Sequence, residues 1–393
     1  MANFAHKTDN MANIEGLYVH VPYCRRKCIY CDFYAARVRQ ARWDAFVAAL
    51  LGEMGRRRVE LSSQSPYTIY IGGGTPSLMP GGHFRRLSAG LMAAMGSVPV
   101  EFTIEANPED LTEANLECWR ECGVDRLSVG VQTLDNTLLT TLGRLHDAEC
   151  AIDGVSMASR YFDNISVDLM FGLPGQSIQR LLGDVEAMAA LRPKHISAYS
   201  LMYEERTALT RLRDEHRMAE CDDVDVVEMF LVMKDTLAMA GYRRYETSNY
   251  AMPGYESVHN TGYWLGRRYL GLGPAAHSYD GLRTRRWNPA DIAAYLRHFA
   301  GNGAGSAFYD EEYLDDDELR EEYVMTRLRL ADGFPVDEFR HRFGEARADM
   351  LLAGASRWER RGLLTVDDDM GGKRISLTPH GVMVSDEIIA DLM

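Results

Sequence analysis

The sequence has no apolar run approaching the roughly 20 residues of a membrane-spanning helix. Its opening stretch, MANFAHKTDNMANIEG, lacks the apolar segment of a secretory signal. Neither a membrane span nor export is expected, and the cytoplasm is the expected location. A surplus of positive charge is missing too. With 43 lysines and arginines against 57 aspartates and glutamates, the formal net charge is −14. That balance argues against a nucleic-acid partner, because counterion release needs a concentrated basic surface. Residues 310–393 alone carry 21 acidic and 11 basic side chains, so a winged-helix shape there would not read DNA. Neither an internal repeat nor a low-complexity tract is present. The seven cysteines form no even disulfide framework, and a chain of 393 residues builds a core without covalent staples. Cys118, Cys122, Cys150 and Cys221 read as reduced thiols, mostly in the core.

The other three cysteines are close together. Residues 17–33 read LYVHVPYCRRKCIYCDF, which puts Cys24, Cys28 and Cys31 at C-x-x-x-C-x-x-C spacing directly after a strand-like run. Thiolates so crowded are soft ligands for a metal or an iron–sulfur cluster. The absent fourth cysteine is informative. A four-iron cube held by three thiolates leaves one iron open to an exchangeable ligand, whereas an electron-transfer cluster usually has four cysteines. A structural zinc site, with His20 or Asp32 as fourth ligand, is the competing reading.

Beyond the cysteines the chain alternates β-rich runs with amphipathic helical stretches. The runs are LYVHV from Leu17, TIYI from Thr68, FTIE from Phe102, RLSVGVQ from Arg126, NISVDLMFG from Asn164 and HISAYSL from His195. Stretches such as HFRRLSAGLMAAM and SIQRLLGDVEAMAALRP space their apolar residues as helices covering a sheet do. Alternation of this kind predicts a parallel sheet with right-handed crossovers. Six units are too few to close an eight-stranded barrel, so the expected fold is α/β: a partial (β/α)6 TIM-like barrel with a wide mouth at the carboxyl ends of its strands. The expected division is a disordered leader over 1–14, the barrel over 15–245, a Tyr- and Gly-rich connection over 246–305 that ends in the linker-like GNGAGS, and a smaller α+β, winged-helix-like domain over 306–393. In that last part LLTVDDD and ISLTPHG predict a hairpin with MGGKR as its turn.

Several strand ends carry polar or glycine residues. Gly72-Gly73-Gly74-Thr75-Pro76 lets backbone approach a ligand and offers amide groups to a carboxylate, although a glycine-rich turn is often only a turn. Glu105 ends the third run as a ligand partner or an ordinary cap. Gln132 and Arg144 follow the fourth, the latter with a guanidinium suited to a carboxylate, and Asp168 sits inside an otherwise apolar fifth run, where it needs a polar partner.

The cysteine spacing and these strand ends resemble the radical S-adenosylmethionine (SAM) superfamily, in its branch around oxygen-independent coproporphyrinogen III dehydrogenase (HemN). The resemblance covers residues 15–390. It implies a [4Fe-4S] cluster on Cys24, Cys28 and Cys31, with SAM contacts at Tyr18, Tyr30, Gly73, Gly74, Thr75, Glu105, Gln132, Arg144 and Asp168. Two departures decide between subfamilies. Phe33 stands where the dehydrogenase has a fourth cysteine, and only a short segment precedes Cys24. Both features are similar to the HemW group of heme chaperones, as is His259-Asn260-Thr261-Gly262-Tyr263-Trp264, which fits that group's H-N-x-x-Y-W motif. An imidazole can ligate heme iron and aromatic faces can stack on a porphyrin. His259 is therefore the expected heme contact, against the alternative of a satisfied histidine in a packing motif, and His277 is a weaker candidate. The resemblance implies a chaperone that holds heme and passes it to a respiratory acceptor hemoprotein, with an electron donor for the cluster and a transient contact with a membrane enzyme. The alternative it leaves is the dehydrogenase reaction itself.

Overall fold

The computed structural model describes residues 15–61, 67–300, 307–369 and 372–393. The leader expected over 1–14 and the linker-like 301–306 lie outside the described residues. All six predicted strands form: Gly16–Val21 (β1), Thr68–Gly73 (β2), Glu101–Ala106 (β3), Arg126–Gln132 (β4), Asn164–Phe171 (β5) and His195–Ser200 (β6). They lie side by side in chain order, every pair parallel, as an open partial barrel.

The two faces of this sheet differ because side chains alternate along a strand. Leu17, Val19 and Val21 on β1, Ile69 and Ile71 on β2, Phe102 and Ile104 on β3, and Leu127, Val129 and Val131 on β4 are all fully buried. They join the core formed with helix residues such as Phe46, Leu50, Leu87, Leu91 and Trp119. The alternate positions, Tyr18, Tyr70, Glu105, Ser128, Asp168 and Ser197, are polar. A barrel that served only as a scaffold would fill its lumen with branched apolar side chains. The covering helices start where the sequence supplies caps: Thr112, Ser177 and Asp222 accept backbone N–H groups at the heads of Glu113–Glu121, Ile178–Ala190 and Asp223–Met239.

The chain after β6 extends this sheet at both edges. Tyr269–Leu272 (β7) adds a seventh parallel strand beside β1, and three antiparallel strands follow it: His277–Tyr279, Thr284–Trp287 and Asp310–Tyr313. At the far edge Asn249–Ala251 runs antiparallel to β6. With Arg243–Arg244 paired antiparallel beside that strand, the result, among the described residues, is a twelve-stranded sheet. β7 escaped the sequence reading because YLGL is only four residues long. Its exit needs Gly273, whose φ is +99° and where a Cβ would lie 2.5 Å from the His20 carbonyl oxygen. Buried Glu53 holds the segment from the helix side, accepting from Gly273 N (2.9 Å), Asn288 Nδ2 (2.8 Å) and Tyr295 OH (2.7 Å).

The carboxyl-terminal part is a small three-stranded antiparallel sheet, Phe334–Pro335, Gly372–Leu377 and Leu364–Asp369, packed with five helices. Helix Asp316–Arg327 opens on a capping box made by Asp315 and Glu318. The predicted hairpin is present, with Lys373 and Arg374, expected in its turn, in the ladder instead. Lys373 and Arg374 pair in the ladder with Asp368 and Asp367, because those opposite charges sit directly across the strands. No described helix is long and apolar enough to cross a membrane.

Candidate functional site

The cysteine loop leaves β1 at the carboxyl ends of the strands. Cys24, Cys28 and Cys31 are free, half-buried thiols. Thr75 Oγ1 lies 3.5 Å from Cys24 Sγ, and Arg144 Nη1 lies 3.6 Å from Cys28 Sγ. Burial raises the Cys24 thiol and pushes Cys31 up to about 11, so loading a metal here releases protons. Among the described residues no three His, Cys, Asp or Glu side chains converge as the ligands of one ion do. A cube of irons does not require it, since each thiolate takes a different metal atom. His20 is unsuited as a fourth zinc ligand: its Nε2 donates to the Tyr34 carbonyl (3.2 Å) and its Nδ1 accepts from Tyr18 OH (3.0 Å).

The positions that the resemblance assigned to SAM form two connected groups. In the lumen, Glu105 accepts from Tyr70 OH (2.8 Å) and Gly73 N (3.0 Å), while Asp168 accepts from Ser128 (3.2 Å). Burial, with each carboxylate near the other, pushes Glu105 up to about 7; burial pushes Asp168 up to about 6. Both keep a face on the lumen, and Tyr18 stacks on Tyr70 with ring centroids 6.2 Å apart. At the mouth, Arg144 donates to Asn107 Oδ1 (2.8 Å) and Gly130 O (2.6 Å) and approaches Tyr30 beside Cys28. Gln132 ends β4 at φ 72°, where the register with β5 shifts, a strained bulge at the rim. Gly74 packs so closely on the loop that a Cβ would sit 2.9 Å from Tyr23 N.

His259 is placed elsewhere. It lies at the amino ends of β2 and β3, where its Nδ1 is 2.7 Å from Thr68 Oγ1 and its Nε2 2.9 Å from Tyr263 OH. Glu101 accepts from the backbone N–H groups of Val258 and His259. The ring stacks on Tyr70, is 4% exposed, and is driven down to about 3 by burial and the Arg126 guanidinium. In this placement both ring nitrogens of His259, the expected heme contact, are hydrogen-bonded. The motif's role here is to pin a helix, Val258–Trp264, under the barrel.

That helix also positions Tyr263 and Trp264 along a cavity of about 660 Å³ between the barrel and helix Asp316–Arg327. The cavity begins at the cysteine loop, with Asp32, Phe33 and Tyr34, and passes His277 and Tyr279 to reach Leu319, Tyr323 and Arg342. Its volume is that of a site for a sizeable organic ligand. Phe33 is 62% exposed, an uncovered aromatic face two residues from Cys31.

Residues 18–188 match the family model described as the radical SAM superfamily, and residues 314–384 match that of the HemN C-terminal domain. The heme chaperone HemW of Mycobacterium tuberculosis is 33% identical over 386 residues, which cover 96% of this chain and 94% of that protein. The chain belongs to the HemW family. HemW of Escherichia coli is 34% identical over 332 residues, covering 82% of this chain and 84% of its own. The E. coli coproporphyrinogen III oxidase HemN shares the fold, with a TM-score of 0.81 over 97% of this chain and 90% of its own, at 20% identity.

For a HemW family member, the sequence reading overlooked two features. One is the cavity, whose lining comes from segments hundreds of residues apart. The other is electrostatic and was visible in the sequence: residues 25–42 hold six basic side chains and one acidic one, in a chain of net charge −14. Among the described residues Arg26, Lys27, Arg37 and Arg39 are in no ion pair with a carboxylate, and they border a second hollow that reaches Cys24.

Proposed function

We propose that this protein is a heme chaperone that receives heme in the 660 Å³ cavity and yields it to an acceptor hemoprotein. The observation that carries the reading is that cavity, lined by aromatic side chains and arginines and bounded by the cysteine loop. Planar aromatic walls suit a porphyrin face, and guanidinium groups suit its propionates. In this reading Cys24, Cys28 and Cys31 hold a [4Fe-4S] cluster, and Tyr18, Tyr30, Gly73, Gly74, Thr75, Glu105, Gln132, Arg144 and Asp168 surround SAM. When bound, the cluster supplies one-electron chemistry and an open iron. Arg144 holds positive charge beside Cys28, Gly74 keeps the backbone close to the loop, Gly73 packs on the His20 ring and donates to Glu105, and Glu105 and Asp168 offer acceptors in the lumen. The unpaired basic side chains of 25–42 favour an acidic electron donor at the loop.

The test is to incubate the anaerobically reconstituted protein separately with heme and with coproporphyrinogen III. Stable retention of heme, with no decarboxylated product, is the expected result. Conversion to protoporphyrinogen IX with consumption of SAM would replace the chaperone reading by the dehydrogenase.

A further inference from the structure

Among the histidines near the barrel and its cavity, His20, His259 and His277 differ in what their rings are bonded to. His20 and His259 each have both ring nitrogens hydrogen-bonded. His277 lines the cavity, is exposed, and has no ring hydrogen bond among the described residues. Its strand explains the orientation. Ala276 and Ser278 are buried, with Ser278 Oγ accepting from Gly271 N at 3.0 Å, so alternation turns His277 to the other side. Across the ladder its ring stacks on Trp287, with centroids 5.9 Å apart and planes 25° from parallel.

The cavity's arginines differ in the same way. Arg285 pairs with Glu322 (2.7 Å), Arg327 with Glu338 (3.4 Å) and Arg267 with Glu15 (3.2 Å). Arg342 has no carboxylate partner among the described residues and lies over the rings of Tyr323 and Phe343, 5.6 and 5.3 Å from their centroids. A ligand with an acidic edge can neutralise it without breaking an existing pair.

Resting on the chaperone reading, we propose that His277, not His259, ligates the heme iron through a ring nitrogen, and that Arg342 binds a propionate. Phe33 then covers an edge of the macrocycle beside the cysteine loop. Burial and the Arg285 guanidinium lower the His277 pKa, which keeps the imidazole neutral and its lone pair available at neutral pH.

The experiment titrates the full-length, cluster-loaded protein with heme, and separately with metal-free protoporphyrin IX, following the Soret band. His277→Ala is expected to shift the heme Soret band and weaken heme binding at least tenfold, with added imidazole restoring the band, while metal-free porphyrin binds as to the parent. Arg342→Gln is expected to weaken both porphyrins about 10- to 100-fold without moving the Soret band. His259→Gln, chosen to spare the fold, is expected to leave the band in place. If the parent binds no heme, the chaperone reading itself fails. If the parent binds heme and His277→Ala leaves its spectrum unchanged, or imidazole does not restore the band, the ligand assignment is overturned. Unchanged porphyrin affinity in Arg342→Gln removes the propionate contact.

Discussion

The two ends of the barrel use the same residue types to opposite effect. At the amino end His195, His259 and Glu101 are hydrogen-bonded within the protein, while buried Arg126 keeps two guanidinium nitrogens without a partner among the described residues. His195 reaches Ser166 and Tyr245 at 2.8 Å each, His259 reaches Thr68 and Tyr263, and Glu101 accepts from Ser257 and two backbone amides. At the carboxyl end groups face open space: three free thiols, an exposed Phe33, an unbonded His277 and an arginine without a counter-charge. A buried polar group costs about 1–3 kcal/mol if unpaired, so the amino end is bonded to itself for stability. Groups left unbonded beside open space are the ones available to a ligand. The residue type alone does not separate the two cases; its hydrogen bonds do.

That contrast can be broken at either end. The largest effect is expected from Cys28→Ala, which should remove the cluster altogether, with iron per chain falling from about four to background and the brown absorption disappearing. The fold should hold, since Cys28 lies outside the apolar core, and far-ultraviolet dichroism checks it. Iron retained at the parent level would mean that the leftover thiols are not the ligands. Next is His259→Ala, which removes a stacked ring and orphans Thr68 and Tyr263. A loss of about 3–5 kcal/mol in urea-unfolding stability is expected. A loss below 1 kcal/mol would show that the amino end is not the structural end.

The smallest effect concerns the lumen between the two ends. A carboxyl whose folded pKa is raised is penalised when charged, so the cost is greatest above about pH 7 and fades as the pH falls through 7 toward the unfolded value near 4.3. Glu105 is raised to about 7. Glu105→Gln should therefore stabilise the cluster-free protein by about 1–2 kcal/mol at pH 8, with the gain narrowing by pH 5. His20 and His259, lowered to about 4 and about 3, act oppositely and only below about pH 6.5, when the unfolded chain takes up protons that the native rings refuse. Thermal melts of parent and variant at matched pH isolate the Glu105 contribution; a gain that is flat with pH would assign it to packing.

What the sequence determined is whatever depends on near neighbours. C-x-x-x-C-x-x-C places three thiols in one loop by spacing alone, period-two alternation picks out six strands, and helical periodicity with Thr112, Ser177 and Asp222 sets their covers. Even the polar lumen was legible, since Tyr18, Tyr70, Glu105, Ser128 and Asp168 fall on alternate positions of apolar runs. Tertiary structure decided what depends on distant ones. It joined β7 to β1 across some 250 residues, a pairing that four residues of YLGL could not announce. It assembled the cavity from the cysteine loop, the Val258–Trp264 helix, the strands after β7 and the carboxyl-terminal helices. It also separated two histidines that look alike in sequence, because whether an imidazole is free depends on which hydroxyls the fold brings to its nitrogens. Thr68 comes to His259 from 191 residues away, and among the described residues no hydroxyl comes to the His277 nitrogens.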